Sequence, residues 1–231
     1  MCELWTWYGA YKEGERHKER NMQCQDRMAY RENGHRQAIA MVDGVGETDW
    51  NPVAGERVAG VVAEFLLDHF EDVPRENKYR LGNVLMRGIY DVILETMEQC
   101  QLPAREFNST FMGACIDHDT GRYCLVHLGD GVIISGGAAE RVLSYPFNGV
   151  GEGETCFTLS ERALEKMKIF TGMADGMTSI ALCSDGVYGM RSRVKEVFGK
   201  VEEFRRSNSI YGDGEDDQGI ILLERPVEYR V

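Results

Sequence analysis

Residues 38–70 read AIAMVDGVGETDWNPVAGERVAGVVAEFLLDHF. The apolar run 38–42 has the length of a buried strand and stops at Asp43-Gly44, a pair that tolerates turn geometry. Further on the apolar period changes. Val58, Val61, Val62, Phe65, Leu66 and Phe70 recur at i, i+3, i+4 and i+7, which is one face of a helix. A second helical stripe follows at Leu81, Val84, Leu85, Ile89, Val92, Ile93 and Met97. Working outward, short apolar runs at 110–116, 123–128, 132–135, 180–183 and 220–223 read as strands. Trp5, Trp7 and Tyr8 read as a strand near the start, and a shorter helix is expected over 191–204. Two consecutive helices set between groups of strands do not make regular βαβ units. The order predicts an α+β fold with helices laid on packed sheets. Residues 136–177 are Gly-rich and weakly patterned, and are expected to form an irregular excursion or flap. No repeat or long linker divides the chain, so 1–231 is read as one domain.

Composition narrows the function. The chain has 231 residues, 43% of them apolar and 28% charged, as expected for a globular domain with a real core. There are 26 Lys and Arg against 38 Asp and Glu, a net charge of −12. That disfavours nucleic acid and anionic membrane as partners, because both need clustered cations. Seven cysteines, at 2, 24, 100, 115, 124, 156 and 183, contain no CxxC pair. They read as reduced thiols, neither a disulfide frame nor a zinc site. Apolar stretches fall short of the ~18 residues that cross a bilayer, and the start lacks a secretory pattern. A soluble cytoplasmic protein is expected, and a monomer. The tripeptide Asn108-Ser109-Thr110 then has no glycosylation role.

The informative feature is where the acidic residues sit. Asp43-Gly44 closes the run 38–42, Gly129-Asp130 closes 123–128, and Asp185-Gly186 closes 180–183. Asp216-Asp217 opens 220–223, and Asp26 precedes another strand candidate. Each Asp-Gly alone is a turn signal. Together, at strand ends that meet along one edge, unpaired carboxylates repel one another and titrate badly. Hard divalent cations relieve this, and Mg²⁺ or Mn²⁺ take oxygen ligands from a few carboxylates while keeping several waters. Two such ions generate a nucleophilic water and clamp phosphoryl oxygens, so the expected chemistry is metal-assisted hydrolysis of a phosphate ester.

In order along the chain, these segments resemble the motifs of the type-2C (PPM) metal-dependent protein phosphatases. Residues 21–27, NMQCQDR, are similar to the Arg-x-x-Asn-Glu/Gln-Asp motif. VDGVG at 42–46, with AGERVA at 54–59, resembles the block that opens the first helix. Ser109-Thr110 fits the start of a central strand. HLGD at 127–130, LCSDGV at 182–187 and DDQGI at 216–220 resemble three further motifs. The resemblance implies a four-layer α-β-β-α sandwich of two antiparallel sheets flanked by helices. It also implies a protein serine/threonine phosphatase using two or three Mg²⁺ or Mn²⁺ ions on a phosphorylated protein substrate. By motif match, Asp43 would bridge two metals and the Gly44 carbonyl would help hold one. Asp185 and Asp216 would complete the pair, Asp26 would ligate or orient a metal-bound water, and Asp130 would support a weaker third ion. The segment 136–177 would meet the substrate.

Several positions depart from that pattern. The phosphate-binding Arg is expected five residues before Asp26, where this chain has Asn21. Arg20, one place off, would need a bulge to serve, with Arg16 and Arg27 as substitutes. Glu47 replaces a glycine, Gly131-Val132 replaces Ser-Arg, Gly219 replaces Thr, and Val45 stands where some members carry His. Two other readings stay open. One keeps the fold as a catalytically weak regulatory binding module. The other uses Cys2, exposed by removal of Met1, as the N-terminal nucleophile of an amidohydrolase. The stretch 213–224 lacks the Gly that an EF-hand needs, and Gly149, Gly151 and Gly153 lack dinucleotide-binding spacing. The five histidines, 17, 35, 69, 118 and 127, show no ligand spacing.

Overall fold

The computed structural model describes residues 4–45, 48–146, 155–189 and 191–226. Along the chain run β1 (Thr6–Lys12), α1 (Glu15–Glu19), β2 (Arg27–Asn33), β3 (Arg36–Gly44), α2 (Asn51–Asp68) and α3 (Lys78–Cys100). Then come β4 (Ser109–Asp117), β5 (Arg122–Leu128), β6 (Val132–Gly137), β7 (Arg141–Ser144), α4 (Ala163–Lys166) and β8 (Lys168–Met173). The chain continues through β9 (Met177–Cys183), α5 (Val197–Ser207) and β10 (Gln218–Glu224). The strands form two five-stranded sheets, ordered β1-β10-β9-β6-β7 and β2-β3-β4-β5-β8. All neighbouring strands are antiparallel.

Three apolar layers explain why the strands read as unbroken apolar runs. On β3, Ala38, Ala40 and Val42 pack under α2 and α3 with Val58, Val62, Leu66, Leu85 and Ile89. The alternate residues Ile39 and Met41 face the other sheet and join Leu182, Ile221 and Leu223. On the far side of that sheet, Ala181, Cys183, Ile220 and Leu222 pack against Val197, Val201 and Phe204 of α5. Each sheet is thus covered on both faces, which removes the usual apolar-polar alternation of antiparallel strands. The result is the α+β sandwich of two sheets between helices.

Some boundaries differ from expectation. Helix α2 begins at Asn51, ahead of its apolar stripe, with Pro52 in the first turn, where a missing N–H costs nothing. The helix expected at 191–204 is a 3₁₀ segment, Arg191–Glu196, followed by α5. The segment 136–177 is not simply irregular. It holds β7 and β8, each an outer strand of a different sheet, and the turn α4. Edge strands are half solvated, so they carry little apolar signal: β8 has no buried residue. Residues 147–154 of that segment, with Gly149, Gly151 and Gly153, lie outside the described residues, as do Cys2, Gly46 and Glu47.

The topology sets the site. Strand β3 is antiparallel to β4 and β4 to β5, so the C-terminal ends of β3 and β5 share an edge. Cys183, at the end of β9, pairs with Val132 and with Ile220, near the starts of β6 and β10. The link from β5 to β6 at 129–131 joins the two sheets at this same edge.

Candidate active site

A pocket of about 330 Å³ opens at that edge. Asp43, Gly44, Thr110, Asp130, Asp185 and Asp216 line one side; Arg16, His17 and Arg20, from α1 and its cap, line another, with Val45 and Phe157. Asp26 does not line it. It lies fully buried behind Asp43. The Ser184 hydroxyl donates to Asp26 Oδ2 at 2.8 Å and accepts from the Gly219 N–H at 2.8 Å. Asp26 Oδ1 is buried with no hydrogen-bond partner.

The electrostatics are those of uncompensated acids. Burial, then the charges of Asp26, Asp185, Asp130 and Asp216, holds Asp43 well above the usual carboxylate range. Burial likewise raises Asp26, with Asp217, Asp185 and Asp216 adding to it against the Ser184 hydrogen bond. Asp185 is pushed up to about 7 by burial, then by Asp130 and Asp216. Burial also raises Asp130, although Thr155 Oγ1 donates to its Oδ2 at 2.5 Å. These acids raise one another by burial and mutual repulsion, and such crowded oxygen donors suit a hard cation. Among the described residues, no three acidic, His or Cys side chains close up as a ready cage for one ion. Mg²⁺ does not ask for such a cage, since it binds through one or two carboxylates and keeps its waters. The residues present therefore fit Mg²⁺ or Mn²⁺.

Close approach explains the glycines. A Cβ on Gly44 would lie 1.9 Å from Asn51 Oδ1, and Asn51 Nδ2 donates to the Glu106 carbonyl at 2.7 Å. The sequence reading made Gly44 a matter of carbonyl access; its packing against the first residue of α2 is a separate reason. A Cβ on Gly14 would lie 2.4 Å from the Asp216 carbonyl carbon. Buried Asp217 ties the two chain segments together. Its carboxylate accepts from the backbone N–H of Gly14 at 2.8 Å and of Gln25 at 2.5 Å, and it lies 2.8 Å from His17 Nδ1.

The sequence pattern of the family Protein phosphatase 2C matches residues 13–212. The chain belongs to this family. Solved structures share the fold of this protein phosphatase 2C chain at low identity. A bacterial serine phosphatase variant is 14% identical with a TM-score of 0.58, over 97% of this chain and 100% of that one. Serine/threonine phosphatase Stp1 from Staphylococcus aureus is 14% identical at 0.57, over 98% and 97%. RsbX in complex with magnesium is 13% identical at 0.53, over 97% and 96%. No curated protein matches the sequence.

In this protein phosphatase 2C chain the departures acquire locations. Arg20 needs no strand bulge. Helix α1 ends there, the Arg20 N–H donates to the His17 carbonyl at 3.1 Å, and Asn21 turns the chain at φ 55°. This turn brings Arg20 to the pocket. Arg27 does not line the pocket. Its Nη1 donates to the Cys24 and Asp26 carbonyls at 2.7 and 2.6 Å, and its guanidinium lies over the Tyr11 ring. Arg16 lines the pocket but pairs with Glu215 at 2.8 Å, largely in solvent. A Cβ on Gly219 would lie 2.8 Å from Asp26 Oδ2, so the family's Thr would displace that carboxylate here.

Sequence reasoning missed four contributors. Thr155 and Ser184 orient Asp130 and Asp26, Asp217 anchors α1, and His17, set aside for lack of ligand spacing, lines the pocket. Their partners lie between 25 and 203 residues away along the chain, and no local pattern encodes that.

Proposed function

We propose that this chain is a protein serine/threonine phosphatase that hydrolyses phosphoserine and phosphothreonine esters with two or three Mg²⁺ or Mn²⁺ ions. The observation that carries the reading is the set of Asp43, Asp130, Asp185 and Asp216 on one pocket. Three of them are held above their ordinary range by burial and one another. Asp43, the Gly44 carbonyl, Asp185 and Asp216 would hold the ion pair, with Asp130 at a further ion and Asp26 orienting from behind. When bound, the ions supply a water ionised near neutral pH and neutralise phosphoryl oxygens. Arg20 supplies a guanidinium whose forked donors suit a phosphoryl group. Ser184 and Thr155 fix the Asp26 and Asp130 carboxylates. The segment 136–177, whose Phe157 lines the pocket wall, would meet the phosphorylated substrate.

The test is p-nitrophenyl phosphate hydrolysis with Mn²⁺, with and without EDTA, by wild type and Asp185→Asn. Turnover that needs Mn²⁺ and drops at least about 100-fold in the variant is expected, the scale of losing one preorganised electrostatic group. Turnover indifferent to EDTA, or unchanged in the variant, contradicts the reading. No turnover at all returns the chain to a regulatory module that has kept the fold.

A further inference from the structure

We infer that Asn108 is a positioning residue for substrate binding: it sets the apolar wall of the pocket, Val45 and Phe157, against which the carbon stem of the phosphorylated residue rests. This rests on the phosphatase reading above. Asn108 opens the tripeptide Asn108-Ser109-Thr110, to which that reading gives no other task. Val45 and Phe157 are the apolar side chains among the residues lining the pocket. Arginine and cations suit the phosphoryl group. The alkyl stem beside it gains by leaving water for apolar surface, so the placing of these two side chains bears on affinity.

Both wall residues are tied to Asn108. Its backbone carbonyl accepts from the Val45 N–H at 3.1 Å. Its side-chain Oδ1 accepts from the Leu159 N–H at 3.0 Å and from the Thr158 hydroxyl at 3.1 Å. Two donors on one oxygen fix the orientation of the amide. Thr158 is fully buried. Its hydroxyl accepts from the Ser109 N–H at 3.2 Å, and its own N–H donates to the Ser109 carbonyl at 2.8 Å. Phe157 belongs to the turn that these bonds grip. Its N–H donates to Ser160 Oγ at 3.0 Å, and its carbonyl accepts from the Ser160 N–H at 3.0 Å. The turn 157–160 is thus closed on itself, and Asn108 holds its middle.

The base of this arrangement is rigid. Asn108 directly precedes β4, where Ser109 pairs with Gly44 at the end of β3. Removing the side chain takes away the acceptor of the Leu159 N–H and of the Thr158 hydroxyl. Two other bonds remain, from the Thr158 N–H to Ser109 and from the Tyr90 hydroxyl to the Thr158 carbonyl at 3.3 Å. Asn108→Ala therefore shifts Phe157 without detaching its segment. Asn108→Asp keeps an oxygen in place for both donors and preserves the arrangement.

Hydrogen exchange reads the tie without substrate or metal. The Leu159 amide should exchange about 5-fold or more faster in Asn108→Ala, the scale of one lost hydrogen bond, and stay protected in Asn108→Asp. Steady-state kinetics with Mn²⁺ on a phosphothreonine peptide read its use. Phe157→Ala should raise KM about 10-fold, as the loss of an apolar contact does. Asn108→Ala should raise it about 5-fold, with kcat within about 3-fold, the pattern of lost uniform binding. Asn108→Asp should restore KM to within about 2-fold of wild type. Because the amide acts through Phe157, the double variant should match Phe157→Ala, whereas independent effects would multiply to about 50-fold. KM does not depend on the fraction folded. Multiplying effects, a fall in kcat with KM unchanged, an Asn108→Asp chain as impaired as Asn108→Ala, or a Leu159 amide indifferent to Asn108→Ala overturns the inference alone. Wild type inactive on the peptide removes the phosphatase reading, and the positioning role with it, even where the exchange result holds.

Discussion

At the scale of single residues, two arginines on one pocket invite a division of labour. Arg20 stands on the cap of α1, while Arg16 is solvated and paired with Glu215. Exposed ion pairs contribute little. Arg20→Ala should raise KM for p-nitrophenyl phosphate about 10-fold or more, the scale of a charge-assisted hydrogen bond. Arg16→Ala should change it less than about 3-fold. Steady-state kinetics on the two variants decide between them, and the reverse ranking would reassign the phosphate contact. Gly44 offers a second measurement. A methyl there meets the Asn51 amide at 1.9 Å. Gly44→Ala should cost about 1–3 kcal/mol, as overpacking does, and Asn51→Ala in the same chain should recover part of it in urea unfolding. The acidic residues were legible because each punctuates an apolar run, and turn chemistry is local. Asp217, Thr155 and His17 were not. Asp217 looked like a neighbour of Asp216, yet it binds Gly14, on the far side of the chain.

At the scale of elements, legibility follows burial. Strands β4, β5, β9 and β10 read clearly because almost every residue is covered by a helix on one face and a sheet on the other. Strands β7 and β8 did not, because a half-solvated edge needs no apolar run. The long helices read from their stripes, but the start of α2 is set by Asn51 and Pro52 rather than by apolar spacing. The distance of α2 from its sheet is set by Gly113 of β4. A Cβ there would lie 2.7 Å from Leu66 Cδ1 and 2.8 Å from Val62 Cγ1. Gly113→Ala should lift the helix or force off-rotamer side chains, at about 1–3 kcal/mol. The test is the denaturation midpoint, with an unchanged m-value showing that the native state stays compact. Because α2 begins seven residues after Gly44, the same variant should also lower Mn²⁺-dependent turnover. A stability loss without any kinetic effect would mean that the helix only covers the sheet.

For the whole molecule, the site makes the metal-free fold sensitive to pH in a direction opposite to that of Asp117, a buried acid with a cationic partner. Asp117, hydrogen-bonded to Arg36 and to the Thr120 N–H despite the cost of its burial, is lowered to about 2. It contributes stability above about pH 4 that is lost as pH falls through 2. Asp185, raised to about 7, works the other way. An unfolded aspartate ionises near 3.9, so between about pH 4 and 7 the folded chain keeps a proton that the unfolded chain has released. Stability therefore falls as pH rises through that window, and the loss is complete above it. Asp26, Asp43 and Asp130 are raised by burial as well and push in the same direction. With EDTA, Tm should be highest near pH 4–5 and lower by about 5 °C or more at pH 8, given about 2–4 °C per kcal/mol for a chain of this size. Mn²⁺ at pH 8 should restore it, because an ion that binds only the folded state stabilises it by mass action. Asp185→Asn removes one repelled carboxylate and one proposed ligand together. It should flatten the pH dependence in EDTA and weaken the Mn²⁺ response, both read by differential scanning fluorimetry. A metal-free Tm that rises from pH 5 to 8, or one that ignores Mn²⁺, would show that these aspartates are not the repelling cluster their burial implies.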